Sequence, residues 1–367
     1  MTTAYVATPE GLLVARNILS ADPAAAVRIQ DERIESVAVS SAAPDRVFAG
    51  TFDAGLWRST DGGETFERVG ESIGPDAVTA IGIAVQDSET IWAGTEPSRI
   101  YRSTDGGATW DHLSGLADVP SASRWSFPPR PDTHHVRWIE PAPADLDTWY
   151  VGIEAGALVV TRDGGETWQD RPPGARRDNH TIATHPDAPD RVYSAAGDGY
   201  AESEDAGRTW ERQHDGLEHR YCWGLAVDPG DPDTVVTSAA RSARNAHRTG
   251  PSYLYRKGST GAVEQEEEGA GQDDGATSGD EWTRLHSHEL DTGEGARRPV
   301  LASGTKPGEL YAACDGGLYR TGDAGDSWER CELPAASSSV PPSGRENDHV
   351  PWEDLFEDGP VRGLAIV

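Results

Sequence analysis

The chain has 367 residues and a net charge of −30, from 62 acidic against 32 basic side chains, and its only lysines are Lys257 and Lys306. That balance argues against a nucleic-acid partner, because neutralising phosphates needs a basic face. Cys222, Cys314 and Cys331 are an odd number without metal-ligand spacing, so neither a disulfide framework nor a zinc site is indicated.

Acid excess with arginine nearly replacing lysine is the surface of a protein kept soluble in concentrated salt, and reads as a halophile's. A merely acidic mesophilic protein is the alternative. The first residues, MTTAYVATPEGLLVARN, lack a basic region leading into an apolar core, and no run approaches membrane-spanning length. The expected compartment is therefore the cytoplasm, with no membrane partner.

In chain order, TAYVATPEGLLVAR (Thr3 to Arg16) aligns without gaps on ELYAACDGGLYRTG (Glu309 to Gly322), and both read as a hairpin of two strands. IESVAVS (Ile34 to Ser40) is then followed by RVFAGTFDAGLWRST, and VTAIGIAV (Val78 to Val85) by TIWAGTEPSRIYRST. These are alternating strands broken by turn chemistry, and almost nothing has helical periodicity. Each unit is strand A, strand B, a short hairpin, strand C, a tight turn, and strand D beginning at an aromatic residue. The tight turn recurs as STDGGETF ending at Phe66, STDGGATW at Trp110, TRDGGETW at Trp168, SEDAGRTW at Trp210 and TGDAGDSW at Trp328. In this octet the aspartates Asp61, Asp105, Asp163, Asp205 and Asp323 can accept amides of the turn, and Gly63 and its equivalents can take a positive φ. The flanking hydroxyls can tie the strands together.

Four antiparallel strands repeating at a period in the forties make a propeller blade. Blades are expected at 31–75, 76–116, 135–173, 178–215, 219–290 and 297–335, with 114–134 an inserted loop. In the 219–290 unit an acidic, Gly-rich insertion at 258–281 replaces the octet and reads as a mobile solvated loop. VRGLAIV (Val361 to Val367) looks like a strand A without its B to D, which lie at residues 3–30. The expectation is an all-β, seven-bladed propeller, one domain over 1–367, closed by pairing of the N- and C-terminal strands in one blade.

The octet resembles the Asp-box of the bacterial neuraminidase repeat, seen in sialidases, xyloglucanases, sortilin-type receptors and photosystem assembly factors. With the acidic surface, the resemblance points to a haloarchaeal member. It implies a propeller whose Asp-boxes are structural and lie on one rim, while ligands meet the opposite face, formed by the B to C hairpins and the D to A connections. The sialidase Arg-Ile-Pro run has no counterpart, since Arg28 is followed by Ile29 and Gln30. Asp315-Gly316-Gly317-Leu318-Tyr319-Arg320 approaches, one residue short, the run that carries a catalytic Asp in xyloglucanases, which also use a second propeller. Photosystem assembly factors are single propellers that bind other proteins.

An acid recurs in the B to C hairpins, at Glu10, Asp53, Glu96, Glu154, Asp198 and Asp315. Two of them facing each other about 5 to 9.5 Å apart would suit a glycosidase, with Glu96, Glu154, Asp198 and Asp315 the catalytic candidates. Acids beside glycine are also what short hairpins select, and their recurrence in nearly every blade favours that turn chemistry. The starts of strand A are more individual: HHVRW, RRDNHT, EHRYCW, RRPV and ENDHVPW (Glu346 to Trp352). Their candidate ligand-binding residues are His134, His135, Arg137, Trp138, Asn179, His180, His219, Arg220, Tyr221 and Arg298. The long hairpin of the fifth blade adds Arg241, Asn245 and His247, with Arg244 and Arg248 beside them. Imidazole, guanidinium and indole at one face suit an anionic or sugar-like ligand, or a protein partner. The alternatives are a metal held by three or more of His134, His135, His180, His219, His247 and His349, and strand-end capping. No metal and no cofactor is expected, and the protein is expected to be a monomer.

Overall fold

The computed structural model describes residues 2–258, 281–286, 290, 297–338, 349–350 and 360–367. Its sheets are short antiparallel strands paired in chain order, A to B to C to D. In the third blade these are Val136–Pro141, Thr148–Ile153, Ala157–Arg162 and Gln169–Asp170. Middle strands such as Thr148–Ile153 and Leu310–Cys314 are buried along their whole length. Both of their faces are covered by neighbouring blades, which is why they read as nearly continuous apolar runs.

The inner strands A touch one another around a complete ring of seven, from Ile34–Ser40 through to Gly363–Ile366 and back. The apolar core divides into seven clusters, one for each junction between adjacent blades. Between the second and third blades Trp92 stacks on Trp149, with centroids 4.4 Å apart. The molecule is a seven-bladed β-propeller. Its closing blade joins both ends of the sequence: Gly363–Ile366 runs antiparallel to Thr3–Thr8, with Ala4 opposite Ile366 and Ala7 opposite Gly363. This pairing leaves the ring no open edge. That sheet also carries two outer strands not foreseen from the repeat, Ala336–Ser338, parallel to Ala24–Arg28, and His349–Val350.

In the five blades that carry it, the octet closes the C to D connection by one hydrogen-bond scheme. The Ser59 hydroxyl accepts from Gly63 N at 2.8 Å and donates to Asp61 Oδ1 at 2.7 Å, while Asp61 also accepts from the Thr65 N–H and hydroxyl. The turns at Asp105, Asp163, Asp205 and Asp323 repeat it. Gly207, at φ 78°, is required twice over, because a Cβ there would also meet a Tyr150 ring carbon of the preceding blade at 2.5 Å.

The inserted stretch before the third blade contains short 3-10 turns at Ser114–Asp118 and Ala122–Arg124. It is pinned by the Ser121 N–H and hydroxyl to Asp170 and by the buried Trp125. The acidic run at 259–280 lies outside the described residues, as do most of ENDHVPW and the side chain of His349. Among the described residues no helix is long and apolar enough to cross a membrane.

Candidate functional site

The antiparallel order puts the B to C hairpins and the starts of strand A at one end of the ring. There they enclose a funnel of about 860 Å³. One local device aims side chains into it. In five blades the register jumps near the start of strand A: between Ile34 and Ser36, Val78 and Ala80, Val136 and Trp138, Asn179 and Thr181, and Cys222 and Leu225. A bulge bends the strand and re-aims a side chain. The residues so placed are Glu35, Thr79, Arg137, His180 and Trp223, and all but His180 line the funnel. The residue two positions earlier lines it in four of these blades, as Arg33, His135, Asp178 and Tyr221, while the one between, such as Val136 or Cys222, packs into the blade.

Glu154, buried on the hairpin of the third blade, sits at the centre of the charge pattern. His135 Nε2 lies 2.9 Å from its Oε2 and Arg137 Nε 3.8 Å away. Burial would raise the Glu154 carboxyl, but the His135 hydrogen bond and the neighbouring His135, His180 and Arg137 outweigh it and hold the group well below the usual carboxylate range. Asp178 is pushed the other way. Burial raises it, and the nearby Glu154 charge adds to that against the pull of His180 and the Ala155 N–H.

Arg298 is 3% exposed and Arg137 7%, and their guanidinium carbons lie 4.3 and 4.8 Å from the centroid of the Trp223 ring. Such cation–π contacts stabilise a desolvated guanidinium without neutralising it. Burial, with Arg362 and Arg137 close by, pulls Arg298 below its ordinary range, yet a guanidinium stays charged. Behind it runs a chain of hydrogen-bonding atoms. Arg298 Nη1 lies 3.1 Å from His247 Nδ1, His247 Nε2 lies 2.8 Å from the Tyr221 hydroxyl, and that hydroxyl lies 3.4 Å from His180 Nε2. His180 Nδ1 ends the chain 2.6 Å from the Cys222 carbonyl.

Of the candidates read from the sequence, Glu96, Glu154, His135, Arg137, Tyr221, His247 and Arg298 line the funnel. His180 lies behind the wall. Asn179 is fully buried and bonds Ser194 and the Arg176 carbonyl. His134 packs on Trp125, and Trp138 donates to Glu140. His219 bonds Tyr255, and Asn245 accepts from Ser242 within a π-helical turn, Asn245–Thr249. Asp198 pairs with Arg176 and Asp315 with Arg297, while Arg220 and Arg241 are exposed; none of these four acids and arginines lines the funnel.

The structure adds Arg33, Glu35, Phe52, Phe127, Arg130, Asp178, Trp223 and Arg362 to the lining. The spacing of first and third residues in strand A could have found Arg33, Glu35 and Arg362; nothing in the repeat marks Phe52 or Phe127. A narrower channel of about 200 Å³ runs between the inner strands and shares Glu35, Thr79, Arg137 and Arg362 with the funnel. Among the described residues one group could hold a cation: ligand atoms of Glu154, Asp178 and His180 lie within 4.8 Å of one another. Arg137 beside Glu154, and the Ala155 N–H already on Asp178, weaken that set.

No protein-family model matches the sequence, and no curated protein matches it. Solved structures do. The chain is similar to a GH74 enzyme of Niastella koreensis, at 16% identity and a TM-score of 0.65, over 89% of this chain and 51% of that one. It is similar to YCF48 bound to D1 peptide, at 16% identity and a TM-score of 0.56, over 91% of this chain and 92% of that one. The GH74 xyloglucanase of Xanthomonas campestris matches at 14% identity and a TM-score of 0.57, over 90% and 46%. This chain spans about half the length of these two GH74 enzymes. The likeness is one of fold.

Proposed function

We propose that this propeller is a binding platform that takes an anionic ligand, a small molecule or an acidic group of a protein partner, into the funnel. Arg298 carries the reading. It is almost wholly buried, it lines the cavity, and no carboxylate lies within ion-pair distance of it among the described residues. An unpaired buried charge costs several kcal/mol, and an incoming carboxylate or phosphoryl group supplies the missing partner through charge-assisted hydrogen bonds. The recurring octets act as Asp-boxes that fix blade geometry on the far rim, and the acidic, lysine-poor surface suits a salt-rich cytoplasm. Titration calorimetry with benzoate tests the proposal. Wild type should bind it, and Arg298→Met should bind at least about 10-fold more weakly. Absence of binding, or equal binding by the variant, overturns the reading.

A second reading, a glycoside hydrolase or lyase acting on an acidic sugar, is favoured by one observation. Asp178 and Glu154 share the cavity and are pushed in opposite directions, the pattern of an acid beside a base. It requires turnover of an aryl uronide that Asp178→Asn abolishes.

A further inference from the structure

We propose that the ligand carries at least two negative charges on one edge and an apolar or ring-bearing face on the other. This deepens the anion-binding reading and rests on it. The observation behind it is the way the lining arginines divide. On the side built by blades seven, one, two and three, each has a carboxylate. Arg33 and Arg362 share Glu35 at 2.7 and 3.3 Å, Arg130 is held by both oxygens of Glu96, and Arg137 faces Glu154 at 3.8 Å. On the side of blades five and six, Arg244, Arg248 and Arg298 have no carboxylate within ion-pair distance among the described residues.

The division is not what the composition alone would give. With 62 acidic side chains to 32 basic ones, partners are abundant, and each arginine on the first side has a carboxylate within 4 Å. Three neighbouring cations left open around one cavity are complementary to an anion of valence above one. Arg298 lies deep and Arg244 and Arg248 lie at the mouth, on the long hairpin of the fifth blade. The charges of the ligand must therefore face one wall.

The opposite wall sets apolar side chains beside those ion pairs. Phe52, Phe127, Pro128 and Pro129 supply them, with the Arg33 guanidinium 3.8 Å from the centre of the Phe52 ring and Arg130 placed 5.0 and 4.8 Å from Phe52 and Phe127. Those arginine planes extend a flat surface for a ring. A volume of about 860 Å³ far exceeds what an inorganic ion fills and matches a compact organic molecule or the end of a chain.

Three probes at fixed ionic strength and pH 8 separate the parts of the claim: phenyl phosphate, benzoate and inorganic phosphate, each titrated calorimetrically. Phenyl phosphate should bind at least about 10-fold more tightly than either of the others, since only it joins a dianion to a ring. The double variant Arg244→Gln/Arg248→Gln alters exposed side chains, and its thermal unfolding verifies the fold. It should erase most of the phenyl phosphate preference over benzoate. Equal affinities for benzoate and phenyl phosphate, equal affinities for the two phosphates, or an unaffected double variant overturns the inference while anion binding stands. No Arg298-dependent binding of any probe overturns both. A peptide ending in two acidic residues and an aromatic residue, titrated alongside, tells a protein chain end from a free small molecule.

Discussion

The Arg298 guanidinium donates to His247 Nδ1 across 3.1 Å, and the direction of that bond sets the proton of the His247 ring. A guanidinium has no acceptor, so His247 Nδ1 must be bare and its Nε2 must carry the hydrogen given to Tyr221. The Tyr221 hydroxyl lies 3.4 Å from His180 Nε2, and His180 gives its Nδ1 hydrogen to the Cys222 carbonyl. His247 is therefore neutral.

Burial and the adjacent Arg298 pull His247 down to about 3. A histidine whose folded value is depressed binds its proton more readily when unfolded. Its contribution to stability is therefore complete above about pH 6.5 and is lost progressively as pH falls toward 3. Urea unfolding of wild type and His247→Gln across pH 4 to 7 should show a steeper fall for wild type, by up to about one proton's worth. Parallel curves would remove His247 as the source.

Replacing Tyr221 by Phe removes the hydroxyl that joins the two rings and leaves the His247 N–H without its acceptor. The expected cost is about 1–3 kcal/mol in chemical denaturation, the penalty of buried polar groups left unmatched. Benzoate affinity should fall less than in Arg298→Met, because the guanidinium remains. A variant as stable as wild type would mean that the chain is not formed.

The ring was legible because the octets fix blade phase, and from that phase the split seventh blade followed from the likeness of Val361 to Val367 to a strand A. The site was legible only in part. His135, Arg137, Tyr221 and Arg298 stood out as unlike the repeat. Glu35 and Trp223 reach the cavity through bulges, and a bulge is a register between two strands that neither strand states alone. Phe52 and Arg130 come together from the first blade's hairpin and the inserted loop, 78 positions apart in number, so local pattern could not pair them. Conversely, Asn179 and His219 looked individual yet bond other parts of the framework.

Blade packing makes its own demand at Gly174. A Cβ there would lie 1.9 Å from the Trp210 carbonyl oxygen of the next blade, at a φ of 79°, and the preceding residue, Pro173, accepts the Trp210 N–H at 2.9 Å. Gly216 meets the Trp282 carbonyl in the same way. Neither backbone can yield without parting two blades. Gly174→Ala should cost at least about 2–4 kcal/mol or abolish soluble expression, combining strain at positive φ with overpacking. Wild-type melting behaviour in this variant would contradict the packing described.

Asp205 tests whether an octet turn works apart from the funnel. Burial pushes its carboxyl up, but the Thr209 hydroxyl and N–H and the Ser203 hydroxyl outweigh this and bring it down to about 2. A carboxyl with a depressed folded value contributes stability above about 3.8, and that contribution is lost as pH falls through 2. Asp205→Ala removes the acceptor on which the turn closes, and Gly207 behind it packs on Tyr150 of the preceding blade. The expected loss is about 1–3 kcal/mol near neutral pH, shrinking as acid protonates the wild-type group. Because the turn lies at the end of the ring away from the cavity, benzoate affinity of the folded variant should match wild type. A variant that keeps its stability but loses binding would place the octets in the site, not in the framework.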